Sequence, residues 1–146
     1  MPYRWVKMSL LLTILVLSTS AIAEDVEGNV GTNASYDLVI TNASFVATSP
    51  ENENLNEEWV EIENQGTTIQ EMTGWTLADE ANHEYQFPEG FALAPHAMVK
   101  VHTGSGEDTT DSLFMNSSRS IWNNDGDVAT LLDASGATVS QFPALA

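Results

Sequence analysis

The sequence from residue 36 to residue 142 is a succession of short apolar segments separated by turn residues. Within residues 59–63, the apolar Val60 and Ile62 alternate with a tryptophan and two glutamates. Alternation with a period of two residues turns one side of a strand toward a core and the other toward water. No window of useful length has an apolar period of 3.6 residues, so we expect negligible helix. The pattern predicts an all-β sandwich of about seven to nine mostly antiparallel strands.

Turn residues set the expected strand boundaries. The first strand is predicted over residues 37–47, with a break near Asn42. Later strands are expected at residues 98–102, 113–115, 128–132 and 137–142. The last two are predicted to form a hairpin, because an Asp-Ala-Ser-Gly turn lies between them.

The same alternation sorts the aromatic and aliphatic side chains. Trp75, Tyr85 and Phe87 are expected in the core. Ile69 and Met72 are expected to fill the connection that follows the second strand. Trp59 differs, because it lies on the charged face of its strand. It is therefore our candidate for contact with a partner.

Residues 1–23 have the pattern of a secretory signal peptide. Arg4 and Lys7 precede an apolar run over residues 8–17, and small residues at 21 and 23 predict cleavage after Ala23. The run is short for a membrane span, and the alternative is an uncleaved N-terminal anchor. We expect a secreted or cell-surface protein with no stable membrane span after cleavage. Its mature chain would comprise an acidic flexible linker at residues 24–35, one domain at 36–142 and a tail at 143–146.

The charge of the chain limits its partners. Once the leader is removed, Lys100 and Arg119 face all 21 acidic residues, which leaves a formal charge of −19. Such a surface repels phosphate backbones, so nucleic acid is excluded as a partner. The same charge is compatible with three explanations: high solubility, cation-rich surroundings or a basic partner. The chain has no cysteine, so thiolate and disulfide chemistry are also excluded.

Several segments, in this order and spacing, resemble the lamin-tail domain family, in the form found in exported prokaryotic proteins. The resemblance covers roughly residues 36–142. The matching segments are Glu58-Trp59-Val60-Glu61-Ile62-Glu63-Asn64, Gly74-Trp75-Thr76-Leu77, Tyr85-Gln86-Phe87-Pro88, Leu93-Ala94-Pro95, Val99-Lys100-Val101, Gly104-Ser105-Gly106 and Trp122-Asn123-Asn124-Asp125-Gly126-Asp127.

The resemblance implies an immunoglobulin-like β-sandwich that binds or tethers another macromolecule. It carries over no catalytic residue, because members of the family share none. The chain departs from the family pattern at His96, where a glycine is common after the proline. From these inferences we expect a non-enzymatic module whose partner is a protein or another envelope macromolecule.

Calcium is the metal that the acidic loops favour, because Ca²⁺ prefers clustered oxygen donors. The candidate ligands are Asn123, Asp125, Asp127, Glu107, Asp108 and Asp111. Residues 123–127 fail as an EF-hand loop, because the glycine register would place Ile121 and Leu132 at ligand positions. They equally fit an Asx-rich turn that caps a hairpin. No other cofactor is expected.

Three histidines, His83, His96 and His102, are the candidates for a zinc site. Their wide spacing also fits three unrelated surface side chains. Asn33, Asn42 and Asn116 each begin an Asn-x-Ser triplet, the acceptor for N-glycosylation. Two other functions stay open: a calcium-stabilised structural component of the cell envelope, and a small carboxylate-dependent hydrolase.

Overall fold

The computed structural model describes residues 36–144, and these residues form ten β-strands. The predicted leader and linker at residues 1–35 lie outside the described residues, as does the end of the tail. The strands are β1 (Leu38–Ser44), β2 (Trp59–Asn64), β3 (Gln70–Glu71), β4 (Thr76–Ala78), β5 (Glu84–Gln86), β6 (Ala92–Leu93), β7 (Met98–His102), β8 (Ser112–Phe114), β9 (Ala129–Leu132) and β10 (Thr138–Phe142).

Helix is confined, within the described residues, to two single 3₁₀ turns at Glu51–Glu53 and Leu55–Glu57. Both turns lie in the long loop between β1 and β2. Residues 36–144 contain no helix that is long and apolar enough to cross a membrane.

Two four-stranded sheets make up the sandwich, in the orders β1-β2-β7-β8 and β10-β9-β4-β5. We call them the first and second sheets. Neighbouring strands are antiparallel except β7 and β8, which are parallel. The all-β prediction is confirmed. The number of strands is ten rather than the predicted seven to nine, because β3 and β6 form an additional two-stranded sheet. Each of these two strands has two residues, which is too short for an alternating pattern to be recognised in the sequence.

The core lies between the two large sheets and follows the predicted alternation. On β2, Val60 and Ile62 are completely buried. The fifteen buried residues of the core are Leu38, Ile40, Val60, Ile62, Met72, Trp75, Leu77, Phe87, Leu93, Val99, Val101, Leu113, Trp122, Ala129 and Leu131. Burying apolar area of this kind contributes roughly 25 cal/mol per Å². Because the chain has no cysteine, packing replaces the disulfide that often joins the two sheets of such domains.

Two of the expected core positions differ from the prediction. Tyr85 is half-buried, because it lies on β5, which is an edge strand of the second sheet and has a neighbour on one side only. Ile69 is 69% exposed, because it lies in the turn before β3, whereas Met72 is completely buried as expected. Trp75 and Phe87 are in the core, as predicted.

The first strand is broken where the sequence suggested. The register between β1 and β2 shifts between Ile40 and Asn42, which indicates a β-bulge. Next to the bulge, the Ile40 amide donates a hydrogen bond of 3.0 Å to Ser140 Oγ of β10. This bond joins the edges of the two sheets on one side of the sandwich.

The far end of β2 is held by Asn64, the last residue of the motif that carries the family resemblance. Its Nδ2 donates to the carbonyl oxygens of Thr68 and Leu93, both at 2.9 Å, and its Oδ1 accepts from the Gly66 amide at 3.0 Å. A Cβ at residue 66 would lie 2.7 Å from Asp37 Oδ2, so a larger residue there would displace the Asp37 side chain. Asn64 thereby ties the end of β2 to the turn at residues 66–68 and to β6.

Candidate partner-binding face

Three aromatic rings lie side by side on the outer face of the first sheet. The strand register places Trp59 of β2 opposite His102 of β7, and His102 opposite Phe114 of β8. The His102 and Phe114 rings are stacked, with centroids 5.1 Å apart and planes 19° apart. We call Trp59, His102 and Phe114 the aromatic row. Such a row on an outward face has no part in the core between the sheets.

The rings of His102 and Phe114 are held rigidly. His102 Nδ1 donates a hydrogen bond of 2.9 Å to the carbonyl oxygen of Asn56. On Phe114, a Cβ built at Gly106 would fall on the ring itself. Phe114 is therefore in contact with the Gly106 backbone as well as with His102. A surface whose side chains are already held in place binds a partner with a smaller loss of conformational entropy.

Lys100 covers the ring of Trp59 at the other end of the aromatic row. Its Nζ lies 3.9 Å from the ring centroid, a cation–π contact, and 3.8 Å from Glu61 Oε2. Thr41 Oγ1 donates to the other Glu61 oxygen at 3.0 Å. Trp59 is half-buried as a result, so the residue that we singled out for partner contact is neither fully exposed nor enclosed.

These contacts decide what the face can bind. Lys100, His102 and the Gly106 backbone already cover ring faces of the aromatic row. Sugar rings bind by stacking on free aromatic faces, so this geometry does not favour a carbohydrate. The ring edges and the half-exposed Met98 at the other end of β7 offer instead an apolar surface beside charged groups. That combination is typical of contacts between proteins.

A shallow polar groove of about 630 Å³ borders the aromatic row. Residues 52–57 line one side, and residues 104–105 and 117–118 line the other. Asn56 connects the groove to the aromatic row, because its carbonyl accepts from His102 while its Nδ2 donates to the Ser105 carbonyl at 3.0 Å. The aromatic row and this groove form one continuous surface.

Sequence reasoning identified Trp59 but missed His102 and Phe114 as its neighbours. The missing information was the register of β2, β7 and β8, which pairs Trp59 with His102 and His102 with Phe114. No short-range pattern encodes that register.

The calcium candidates on the loop before β9 are arranged as a turn. Asp127 is buried, and its oxygens accept from three backbone amides: Glu80 at 3.1 Å, Val128 at 2.8 Å and Asn123 at 2.9 Å. Asn123 Oδ1 accepts from the Asp125 amide at 3.1 Å, as in an Asx turn. The side chains of Asp127 and Asn123 thus stabilise this turn through hydrogen bonds to backbone amides.

The second group of calcium candidates lies in the loop between β7 and β8. Asp108 Oδ1 accepts from the Phe114 amide at 2.9 Å, Asp111 Oδ1 accepts from Thr109 Oγ1 at 2.6 Å, and Glu107 is exposed. Within residues 36–144, no three His, Asp or Glu side chains lie close enough to hold a metal ion. Calcium binding by these residues stays a prediction from the sequence.

The three histidines have separate surroundings. His83 Nδ1 lies 2.6 Å from Asp79 Oδ2, in the turn between β4 and β5. His96 adopts a φ of +59° in the turn between β6 and β7. His102 belongs to the aromatic row. The three histidines therefore lie in three different parts of the domain: two separate turns and the aromatic row.

Two of the three glycosylation candidates lie within the described residues. Asn42 is exposed on the bulge of β1, where its Oδ1 accepts from the Ala43 amide at 2.9 Å. Asn116 is exposed after β8 and has a φ of +56°. Asn33 lies outside the described residues. Both described side chains are open to solvent, as modification requires.

The comparison with protein families finds one match that covers most of the chain. Residues 32–144 match the Lamin Tail Domain model, and this span includes every strand of the sandwich. No curated protein matches the chain. The motif at residues 58–64, which begins with a buried glutamate and ends with Asn64, forms the central strand β2 of the first sheet. The chain belongs to the lamin tail domain family.

Proposed function

We propose that this lamin tail domain is a non-enzymatic binding or tethering module that contacts its partner through the outer face of the first sheet. The observation that carries the proposal is the aromatic row, three rings aligned across three adjacent strands on a face turned away from the core. Aromatic side chains are enriched at the centres of protein interfaces, where they supply large rigid contact areas.

The charge of the chain indicates the kind of partner. Acidic side chains outnumber basic ones by 21 to 4 in the whole chain, and the described residues retain only Lys100 and Arg119 as bases. An acidic surface attracts a basic partner and raises the rate of association at low salt. A basic protein surface with apolar side chains at its centre complements the aromatic row and its acidic surroundings.

Quantitative pull-down from the native exported fraction tests this proposal. The bait is the full chain, compared with its Trp59→Ala and Phe114→Ala variants. Ile69→Ala is the matched control, because it removes an exposed apolar side chain from the turn before β3. We expect the aromatic variants to lose the captured partner at least tenfold and the control to retain it, with circular dichroism confirming that all three fold. Equal capture by all the baits would contradict the proposal.

We also propose that the chain is exported and that cleavage follows Ala23. The charged start, the apolar run and the small residues before Glu24 support this proposal. Mass spectrometry of the chain recovered outside the cell tests it. The expected N-terminus is Glu24, and mass increments at Asn42 or Asn116 would reveal glycosylation. A chain that keeps residues 1–23 would overturn the cleavage proposal.

A further inference from the structure

A carboxyl group lies inside the sandwich without a basic partner. Glu58 precedes β2 and is completely buried, in step with the inward-facing Val60 and Ile62. Its Oε2 accepts a hydrogen bond of 3.3 Å from the Ile121 amide. Its Oε1 has no hydrogen-bond partner among residues 36–144. A buried carboxyl oxygen that lacks a partner costs several kcal/mol unless something else binds it.

Three more buried polar atoms in the described part of the chain lack partners: Thr103 Oγ1, Trp122 Nε1 and Tyr85 Oη. Two of these residues, Thr103 and Trp122, are connected to Glu58 through the backbone. The Thr103 amide donates to the Glu58 carbonyl oxygen at 3.0 Å. The Thr103 carbonyl oxygen in turn accepts from the Ser117 amide at 3.0 Å. Trp122 follows Ile121, whose amide binds Glu58. Glu58, Thr103 and Trp122 therefore lie at one end of the sandwich, where residues 115–128 pass from β8 to β9.

A partly open cavity of about 110 Å³ lies next to these residues. It is lined by Tyr85, Ser117 and Ile121, together with His83, Glu84 and Met115. Tyr85 contributes one of the unpartnered atoms, and Ser117 and Ile121 are the residues bonded to Thr103 and Glu58. A cavity of this size has room for at least one water molecule.

The unpartnered atoms restrict the chemistry of an occupant. Glu58 Oε1 accepts hydrogen bonds, Trp122 Nε1 only donates them, and the two hydroxyls can do both. A metal ion would leave the indole N–H without an acceptor, and an anion would leave the acidic side chain of Glu58 without a donor. Water both donates and accepts, and it is the usual partner of buried polar groups.

We propose that this end of the sandwich is an internal hydration site. Ordered water bound to Glu58 Oε1 and Thr103 Oγ1 solvates the buried carboxylate and links it to residues 117–122. Glu58 thereby acts as the anchor of the connection between β8 and β9. Glu58, the glutamate that begins the family motif, therefore has a structural role inside the domain.

A crystal structure of the full chain at a resolution better than about 1.5 Å tests the proposal. We expect density for at least one solvent molecule within hydrogen-bond distance of Glu58 Oε1. Three results would overturn it: a dry site, a direct bond from Glu58 Oε1 to Thr103 or Trp122, or a metal ion coordinated by Glu58.

Solution NMR supplies a second test that does not depend on crystals. Amides of Ile121 and Trp122 should show cross-relaxation with long-lived water, and Thr103→Val should at least halve those signals while the fold is retained. Thr138→Val on the exposed side of β10 is the matched control and should leave them unchanged. Signals that are absent in the wild type, or identical in all three proteins, would contradict the proposal.

Discussion

The ring of Phe114 lies directly against the backbone of Gly106, eight residues earlier in the chain. Gly106 lies in the loop that joins β7 to β8, and Phe114 is the last residue of β8. A Cβ at residue 106 would lie 2.4 Å from the nearest atoms of the ring, so any larger residue would force the ring to move. The loop is closed onto the aromatic row by this contact and by the Asp108 carboxylate, which accepts from the Phe114 amide.

The first prediction concerns this contact. Gly106→Ala should destabilise the protein by about 1–3 kcal/mol, the usual cost of overpacking. Urea denaturation measures the change in the free energy of unfolding. Ser105→Ala, on an exposed neighbour, should have almost no effect. The cost should largely disappear in a Phe114→Ala background, and an equal cost in both backgrounds would show that the ring is not its cause.

The second prediction explains the departure from the family at His96. This residue has a φ of +59°, a left-handed conformation that costs about 1–2 kcal/mol for a residue with a Cβ. Glycine avoids that cost but loses about 0.5–1 kcal/mol through the entropy of the unfolded chain. His96→Gly should therefore stabilise the protein by about 0.5–1 kcal/mol and raise its Tm. Ala94→Gly, in the same turn, should lower the Tm, and a fall in both variants would refute the explanation.

The third prediction concerns alkaline pH. Burial, and then the negative charge of Asp108, raise the pKa of Tyr85 from 10.0 to about 12. Because the folded protein holds this proton more tightly than the unfolded chain, the contribution is complete below pH 10 and is lost between pH 10 and 12. Denaturation across this range should show falling stability. Tyr85→Phe should reduce the slope, and an unchanged slope would contradict the prediction.

The fourth prediction separates the turn from a calcium site at residues 123–127. Asp127→Ala removes the acceptor of three amide hydrogen bonds and should cost about 2–4 kcal/mol. Asp125→Ala, at an exposed position, should change stability by less than about 0.5 kcal/mol. The Tm of the wild type should be the same in EDTA and in calcium. A Tm that rises with calcium and loses this response in both variants would establish the metal site.

The fifth prediction concerns the contact between Lys100 and Trp59. A double-mutant cycle with Lys100→Met and Trp59→Leu should give a coupling energy of about 0.5–1 kcal/mol, as for exposed cation–π pairs. Added salt should weaken the Lys100–Glu61 attraction, so the cycle is best measured at two ionic strengths. Additive effects of the two substitutions would show that the ring and the ammonium do not interact.

Local patterns in the sequence predicted most of the fold. Alternation along β2 and β7 identified the inward-facing Val60, Ile62, Val99 and Val101, because a strand turns successive side chains to opposite sides. The break at Asn42 and the hairpin before β10 followed from turn chemistry. The edge position of Tyr85 and the exposure of Ile69 did not follow, because both depend on which elements lie next to them.

The sequence by itself determined an acidic, cysteine-free β-sandwich of the lamin tail type, because strand period, turn residues and motif order are properties of neighbouring residues. The tertiary structure alone decided the aromatic row and the surroundings of Glu58. Trp59, His102 and Phe114 meet only through the register of three strands. Glu58 is in step with the buried Val60 and Ile62, but glutamate is rarely fully buried in proteins, so the spacing alone did not place it in the core. Only packing between the sheets, and the Ile121 amide that binds the carboxylate, showed that it lies inside.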